Sequence, residues 1–132
     1  MSGVLLDSDV IIEVLRRRNP EVLQGWSELV DSLDAVICSP VSVTEVFYGM
    51  RAREKEAIEK VFSGMICLPV DEEIGRLAAN YLRLFHASHA LALGDALIAG
   101  TASKHDLLLW TRNRKHFPMK DLRFFAGTNK AH

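Results

Sequence analysis

Three carboxylates and one amide occupy positions in this chain from which they could act together. Asp7 directly follows the apolar run Val4-Leu5-Leu6, and Glu45 lies in an apolar-faced stretch behind a second apolar run, Ala35 to Cys38. Asp95 heads Gly94-Asp95-Ala96-Leu97-Ile98-Ala99, and Asn113 comes shortly after the run Leu107 to Trp110. Each follows an element that can end at one edge of a sheet. If they converge, two or three carboxylates share a small volume, and like charges that close are costly unless a divalent cation neutralises them. Hard oxygen donors without Cys or His favour Mg²⁺ or Mn²⁺ over zinc. Such a site can deprotonate a water and stabilise the extra negative charge of a phosphodiester under attack, so metal-assisted phosphodiester hydrolysis is the matching reaction class.

Each residue also has an ordinary role open to it. Asp7 alone serves equally well as the cap of a first helix. Glu45 stands three residues after Ser42, the spacing of a capping box, which taken alone favours a structural role. Asp95 shares a helical face with Ile98, Ala99 and Ala102, a charge among small apolar groups built for close packing; a cap, a buried partner or a metal would each account for it. Asn113 alone is a loop residue, and His116 is a surface histidine rather than a base.

The elements that must position these residues can be read from the apolar pattern. Val4 to Leu6 has no polar interruption, as in a strand buried on both faces of a parallel sheet. Asp9 to Arg18 carries Val10, Ile11, Val14 and Leu15 on one helical face, with Arg16, Arg17 and Arg18 where cations suit the helix dipole. A helix from Pro20 to Leu33 follows, then a strand Ala35 to Cys38. Behind the Ser39-Pro40 turn comes the helix that holds Glu45, with Val43, Val46, Phe47 and Met50 on its apolar face. A charged helix over Ala52 to Ser63, a strand Met65 to Leu68 and a long helix capped by Asp71 come next. Ala87 to Leu93 reads as a connection, Gly94 to Ala102 as a helix, Leu107 to Trp110 as the fourth strand, and Phe124-Phe125 as a fifth edge strand. Strands alternating with helices predict a three-layer α/β/α domain with a mainly parallel sheet of four or five strands. Residues 1–127 are expected to form one domain and 128–132 a frayed C-terminal tail.

With 132 residues, 48% hydrophobic and 25% charged, the chain has the composition of a soluble globular protein with a real core. It has no apolar run of membrane-span length and no secretory signal, so a cytosolic protein that makes no use of a membrane is expected. Cys38 and Cys67 lie in short apolar segments and are expected to be reduced and buried, without a disulfide or a metal. A net charge of −1 argues against coating nucleic acid by bulk electrostatics. Its basic clusters, Arg16 to Arg18, Arg51 with Arg53, and Arg112 with Arg114 and Lys115, still allow local phosphate contacts.

Taken together the four positions resemble the PIN-domain ribonucleases, in particular the VapC toxins of type II toxin–antitoxin systems. Leu5-Leu6-Asp7-Ser8-Asp9-Val10-Ile11-Ile12 is similar to that family's opening strand and first acid, and Thr44-Glu45-Val46-Phe47-Tyr48-Gly49 to its second motif. Gly94-Asp95-Ala96-Leu97-Ile98-Ala99 is similar to the third, and Leu109-Trp110-Thr111-Arg112-Asn113-Arg114-Lys115-His116-Phe117 to the fourth. The resemblance spans nearly the whole chain. It implies a PIN-like fold and a Mg²⁺- or Mn²⁺-dependent endoribonuclease with Asp7, Glu45 and Asp95 as the acidic, metal-holding set, Asn113 completing it and Thr111 supporting it by hydrogen bonding. It also implies a homodimer neutralised by a VapB-like antitoxin. Two positions depart from the pattern. Asp9 stands where many relatives carry Asn and adds an outer-sphere ligand; His116 stands where some place an acid, which leaves the number of metals open.

The expected mechanism has the cation bridging Asp7 and Asp95, Glu45 orienting or deprotonating the attacking water, and Arg112, Arg114 and Lys115 on the RNA backbone. Two other readings fit part of the chain. Asp7-Ser8-Asp9-Val10 after a strand is also similar to the DxD motif of haloacid-dehalogenase-type phosphatases, with Asp7 as nucleophile. Against it, a helix begins immediately after Asp9, no suitably placed lysine follows a third strand, and no second acid follows Gly94-Asp95. A non-catalytic PIN-like binding module is the third reading.

Overall fold

The computed structural model describes residues 2–126; the tail expected at 128–132 lies outside the described residues. Five strands form one sheet in the order β3-β2-β1-β4-β5, and every neighbouring pair is parallel. These are β1 (Gly3–Leu6), β2 (Ala35–Cys38), β3 (Ile66–Cys67), β4 (Leu108–Trp110) and β5 (Arg123–Phe124). The helices are α1 (Ser8–Arg16), α2 (Pro20–Asp31), α3 (Pro40–Gly49), α4 (Lys55–Ser63), α5 (Glu72–His89) and α6 (Leu93–His105).

The central strand explains the uninterrupted apolar run. Alternate residues of β1 enter two different cores: Leu5, with Ile37 and Leu109, packs under α5 and α6, while Val4 and Leu6, with Cys38 and Trp110, pack under α1 to α4. All four residues of β1 are buried, as a strand covered on both faces requires. The result is the expected three-layer α/β/α arrangement with a parallel sheet. Gly100 lets α6 lie close to α5, because a Cβ there would stand 3.0 Å from the Ile74 carbonyl oxygen. The sequence order turns back between β1 and β4, so the carboxyl ends of these two strands flank the point where α/β sheets place their ligands.

Several boundaries differ from expectation. α1 begins at Ser8, and Arg17 leaves the helix in the left-handed conformation (φ 55°), so only Arg16 of the three arginines lies in the last turn. The segment from Ala52 divides into a short 3-10 turn, Ala52–Glu54, and α4, because the Glu54 carboxylate accepts the Arg51 backbone N–H at 2.8 Å and winds the chain tightly there. α5 runs on to His89 and α6 starts at Leu93, leaving a shorter connection than expected; Ala90, with φ 51°, ends α5 in the place of a glycine. Cys38 is buried as expected, but Cys67 is exposed. β3 has only two residues, both exposed, and lies at the sheet edge, where no further strand among the described residues pairs with it.

Candidate active site

Asp7 is the first residue beyond β1, and its backbone N–H donates to the Trp110 carbonyl at 2.9 Å, extending the β1–β4 ladder by one step. It is the N-cap of α1, yet its carboxylate accepts from Ser8 N at 2.9 Å, whereas a capping side chain ordinarily accepts from the second or third helical residue. The other carboxylate oxygen takes the Thr111 hydroxyl, 3.0 Å away. Asp7 is only 7% exposed. Burial, followed by the charge of Asp9, pushes its pKa up to about 7 from an ordinary value of 3.8, and Asp95 adds to the rise. The hydrogen bonds from Thr111 and Ser8 oppose it without cancelling it. Asp7 is thus both a cap and a charge held in an unfavourable place.

Asp9, in the first turn of α1, accepts the Arg112 backbone N–H at 3.1 Å through one carboxylate oxygen. Its other oxygen is buried with no hydrogen-bond partner among the described residues, and burial raises its pKa as well. Glu45 comes from α3. The capping-box role does not hold, because α3 starts earlier: Ser39 is the N-cap and accepts from Val41 N at 3.1 Å, while Ser42 is buried within the helix. Glu45 instead accepts the Ser8 hydroxyl at 2.9 Å across the chain. Its second oxygen lies 3.8 Å from where a Cβ on Gly94 would stand, so Gly94 lets the head of α6 approach this acid. Asp95, the next residue, is half-buried; burial raises its pKa, His116 opposes, and the charges of Glu45 and Asp9 raise it further. Asp7 therefore feels Asp9 and Asp95, and Asp95 feels Glu45 and Asp9, from separate elements of the fold.

Asn113 reaches this group only through a neighbour. Its backbone N–H donates to the Thr111 hydroxyl oxygen at 3.1 Å, and its side-chain amide lies 3.1 Å from His116 Nδ1. His116 Nδ1 is in turn 3.8 Å from Asp95, so this histidine, exposed as expected, also borders the site. The three basic residues do not form one patch. Arg112 extends toward Glu13 at 3.4 Å, which also holds Arg18 at 2.7 Å. Arg114 lies over the Phe124 ring, 5.0 Å from its centroid, and Lys115 is exposed. Ser8, Glu13 and Gly94 are the participants that sequence reasoning passed over. Only Ser8 carried a signal, standing between two acids.

Among the described residues, no three Asp, Glu, His or Cys side chains are already gathered into a ready-made metal cage. The chemistry of the donors nevertheless fits a hard divalent cation. Asp7 and Asp95 are both raised by burial and by neighbouring acids, and an Asp9 oxygen is buried with no donor. A cation among them would relieve each of these costs.

The model of the PIN domain matches residues 4–122 of the chain. Ribonuclease VapC10 of Mycobacterium tuberculosis is 36% identical over 117 residues, which cover 88% of this chain and 86% of that protein. Among solved structures, FitAcB from Neisseria gonorrhoeae superposes with a TM-score of 0.71 at 29% identity, covering 92% of this chain and 96% of the other. VapBC2 from Rickettsia felis, bound to a DNA fragment from its promoter, superposes with a TM-score of 0.78 at 16% identity over 92% and 96% of the two chains, a likeness of fold alone.

Proposed function

The chain belongs to the PIN-domain family, and on that premise we propose that it is an endoribonuclease, the toxin of a type II toxin–antitoxin system, dependent on Mg²⁺ or Mn²⁺. The observation that carries this reading is the shared electrostatics of Asp7, Asp9, Glu45 and Asp95 at the switch point of the sheet. Asp7 and Asp95 would hold the cation, with Glu45 beside them. When bound, a divalent ion supplies Lewis-acid stabilisation of the phosphodiester under attack and makes water easier to deprotonate. Glu45, its first oxygen fixed by the Ser8 hydroxyl, offers its second oxygen to orient the attacking water and accept its proton. Thr111 fixes the Asp7 carboxylate, and the Arg112 backbone N–H fixes Asp9. Asn113 acts from behind, keeping His116 against Asp95. Arg112, Arg114 and Lys115 are assigned to the RNA backbone.

The partner is a VapB-like antitoxin, in keeping with relatives whose structures are toxin–antitoxin complexes. Self-association as a homodimer is supported by Leu84 and Leu93, which stand 61% and 64% exposed on neighbouring helices. Residues 1–127 are taken as one functional unit. No helix among the described residues is long and apolar enough to cross a membrane, and the cytoplasm is the compartment we assign. A phosphatase would carry an acid-stable phosphoryl group on Asp7, and a binding module would be indifferent to Asp7→Asn in the presence of RNA. The test is cleavage of single-stranded RNA by the purified chain free of antitoxin. Wild type should cut with Mg²⁺ or Mn²⁺ and stop on chelation, and Asp7→Asn should be inactive while still folded. Equal treatment of RNA by mutant and wild type would overturn the ribonuclease reading.

A further inference from the structure

Thr111 belongs to two places at once. Its hydroxyl holds Asp7, and it also lines a second concavity of about 340 Å³ between the start of α2 and the chain leaving β4. The floor is aromatic, and glycine at position 25 lets α2 lie directly against it: a Cβ there would stand 2.9 Å from the Trp110 ring and 3.7 Å from the Phe125 ring. These two rings pack against each other with centroids 4.8 Å apart. The polar wall carries Arg112, Arg114 and Asn19. Arg112 is not consumed by its acid, since Glu13 is nearer to Arg18, at 2.7 Å against 3.4 Å. Arg114 lines the cavity, with its guanidinium over the Phe124 ring and donating to the Phe125 carbonyl oxygen at 3.4 Å. Asn19 commits its carbonyl oxygen to Val22 N, at 3.0 Å, which leaves the amide nitrogen as a donor.

Guanidinium and amide donors above aromatic faces suit a ligand that is anionic at one end and flat at the other. That is the description of a nucleotide, and a concavity of this size holds one small ligand rather than a folded partner segment. Glu21 also lines it, and its charge disfavours an acidic peptide. The connection to the acids is immediate: the Thr111 hydroxyl donates to Asp7, and the next residue, Arg112, donates its backbone N–H to Asp9 and lines the cavity. Resting on the ribonuclease reading, we propose that this cavity is the subsite for the RNA nucleotide next to the cleaved phosphodiester, with its phosphate on Arg112 and Arg114 and its base at the Trp110–Phe125 floor. Lys115, outside the cavity lining, has no part in it.

The experiment is binding of a short single-stranded RNA to the full chain carrying Asp7→Asn, which keeps the RNA intact, and Trp26→Phe, which leaves Trp110 as the sole tryptophan. RNA should quench Trp110 emission. Arg114→Gln and Arg112→Gln, both exposed side chains whose replacement leaves the backbone bonds in place, should each weaken binding about tenfold, and Lys55→Gln, exposed on α4 and outside both sites, should change it less than about twofold. In the otherwise wild-type chain, Arg114→Gln should also alter which nucleotide flanks the cut. Unchanged affinity in both arginine variants, absence of quenching, or quenching by polyglutamate in place of RNA would overturn the subsite. If the wild-type chain still cuts RNA in that case, the ribonuclease reading survives; no cleavage with either metal removes both.

Discussion

Asp7 concentrates the site's energetics in one side chain. In the unfolded chain it titrates near 3.8 and in the folded chain near 7, so the folded state keeps a proton that the unfolded state gives up between those values. Its contribution to stability is therefore greatest below the lower value, is lost as pH rises through the interval, and is gone above about 7. Asp7→Asn removes that loss. In metal-free protein the variant should exceed wild type in stability by up to about 4 kcal/mol above pH ~8 and match it below pH ~4, read by urea denaturation at the two pH values. An inactive variant that is also more stable is what a charge retained for chemistry would give. Thr111 acts through Asp7 rather than on substrate. Thr111→Val deletes the donor to Asp7 and the acceptor for Asn113 N. It should cost about 1–2 kcal/mol and shift the acid limb of the cleavage–pH profile upward, while Thr111→Ser restores both. A purely structural role would lower stability and leave that profile in place.

Among the elements, α3 carries the next prediction. Ser39 is fully buried, caps α3 and is followed six residues later by Glu45. Ser39→Ala should destabilise the fold by about 1 kcal/mol in thermal or chemical denaturation and slow RNA cleavage, because the fraying end is the one that fixes the helix bearing Glu45. What could be read in the sequence here depended on whether a signal was local. The run Val4-Leu5-Leu6 ending at Asp7 announced a covered strand and the residue at its tip, and Asp71 announced its cap, which accepts from Ile74 N at 3.0 Å. Ser42-x-x-Glu45 imitated a capping box because Ser39-Pro40, one turn earlier, competes for the same helix start. Cys67 looked buried because its neighbours are apolar, but burial depends on strand order, and β3 is an edge. The His116–Asp95 approach and the second cavity arise where α6, α2 and the chain after β4 meet, and spacing along one segment carries no trace of such a meeting.

Across the whole molecule, a net charge of −1 offers RNA no overall attracting field, which leaves phosphate contacts to locally placed cations such as those proposed above. The apolar surface is placed too. A concavity of about 540 Å³ at the end of α5 and start of α6 is lined by Leu82, Leu91 and Leu93 among others, and Leu93 is largely exposed. If copies of the chain meet there, Leu93→Glu should shift the protein from dimer to monomer in sedimentation at micromolar concentration, with the helical content unchanged.

β4 lies beside β1 in the middle of the sheet although Thr111 follows Asp7 by 104 residues. During synthesis β1, β2, β3 and all six helices precede β4, and they can associate while β4 does not yet exist. During that time the flank of β1 is open, Asp7 has no hydroxyl donor, Asp9 has no backbone donor, and the aromatic floor beside them is missing. The centre is completed only when β4 and the residues behind it are in place, so a chain stopped before β4 should leave RNA uncut.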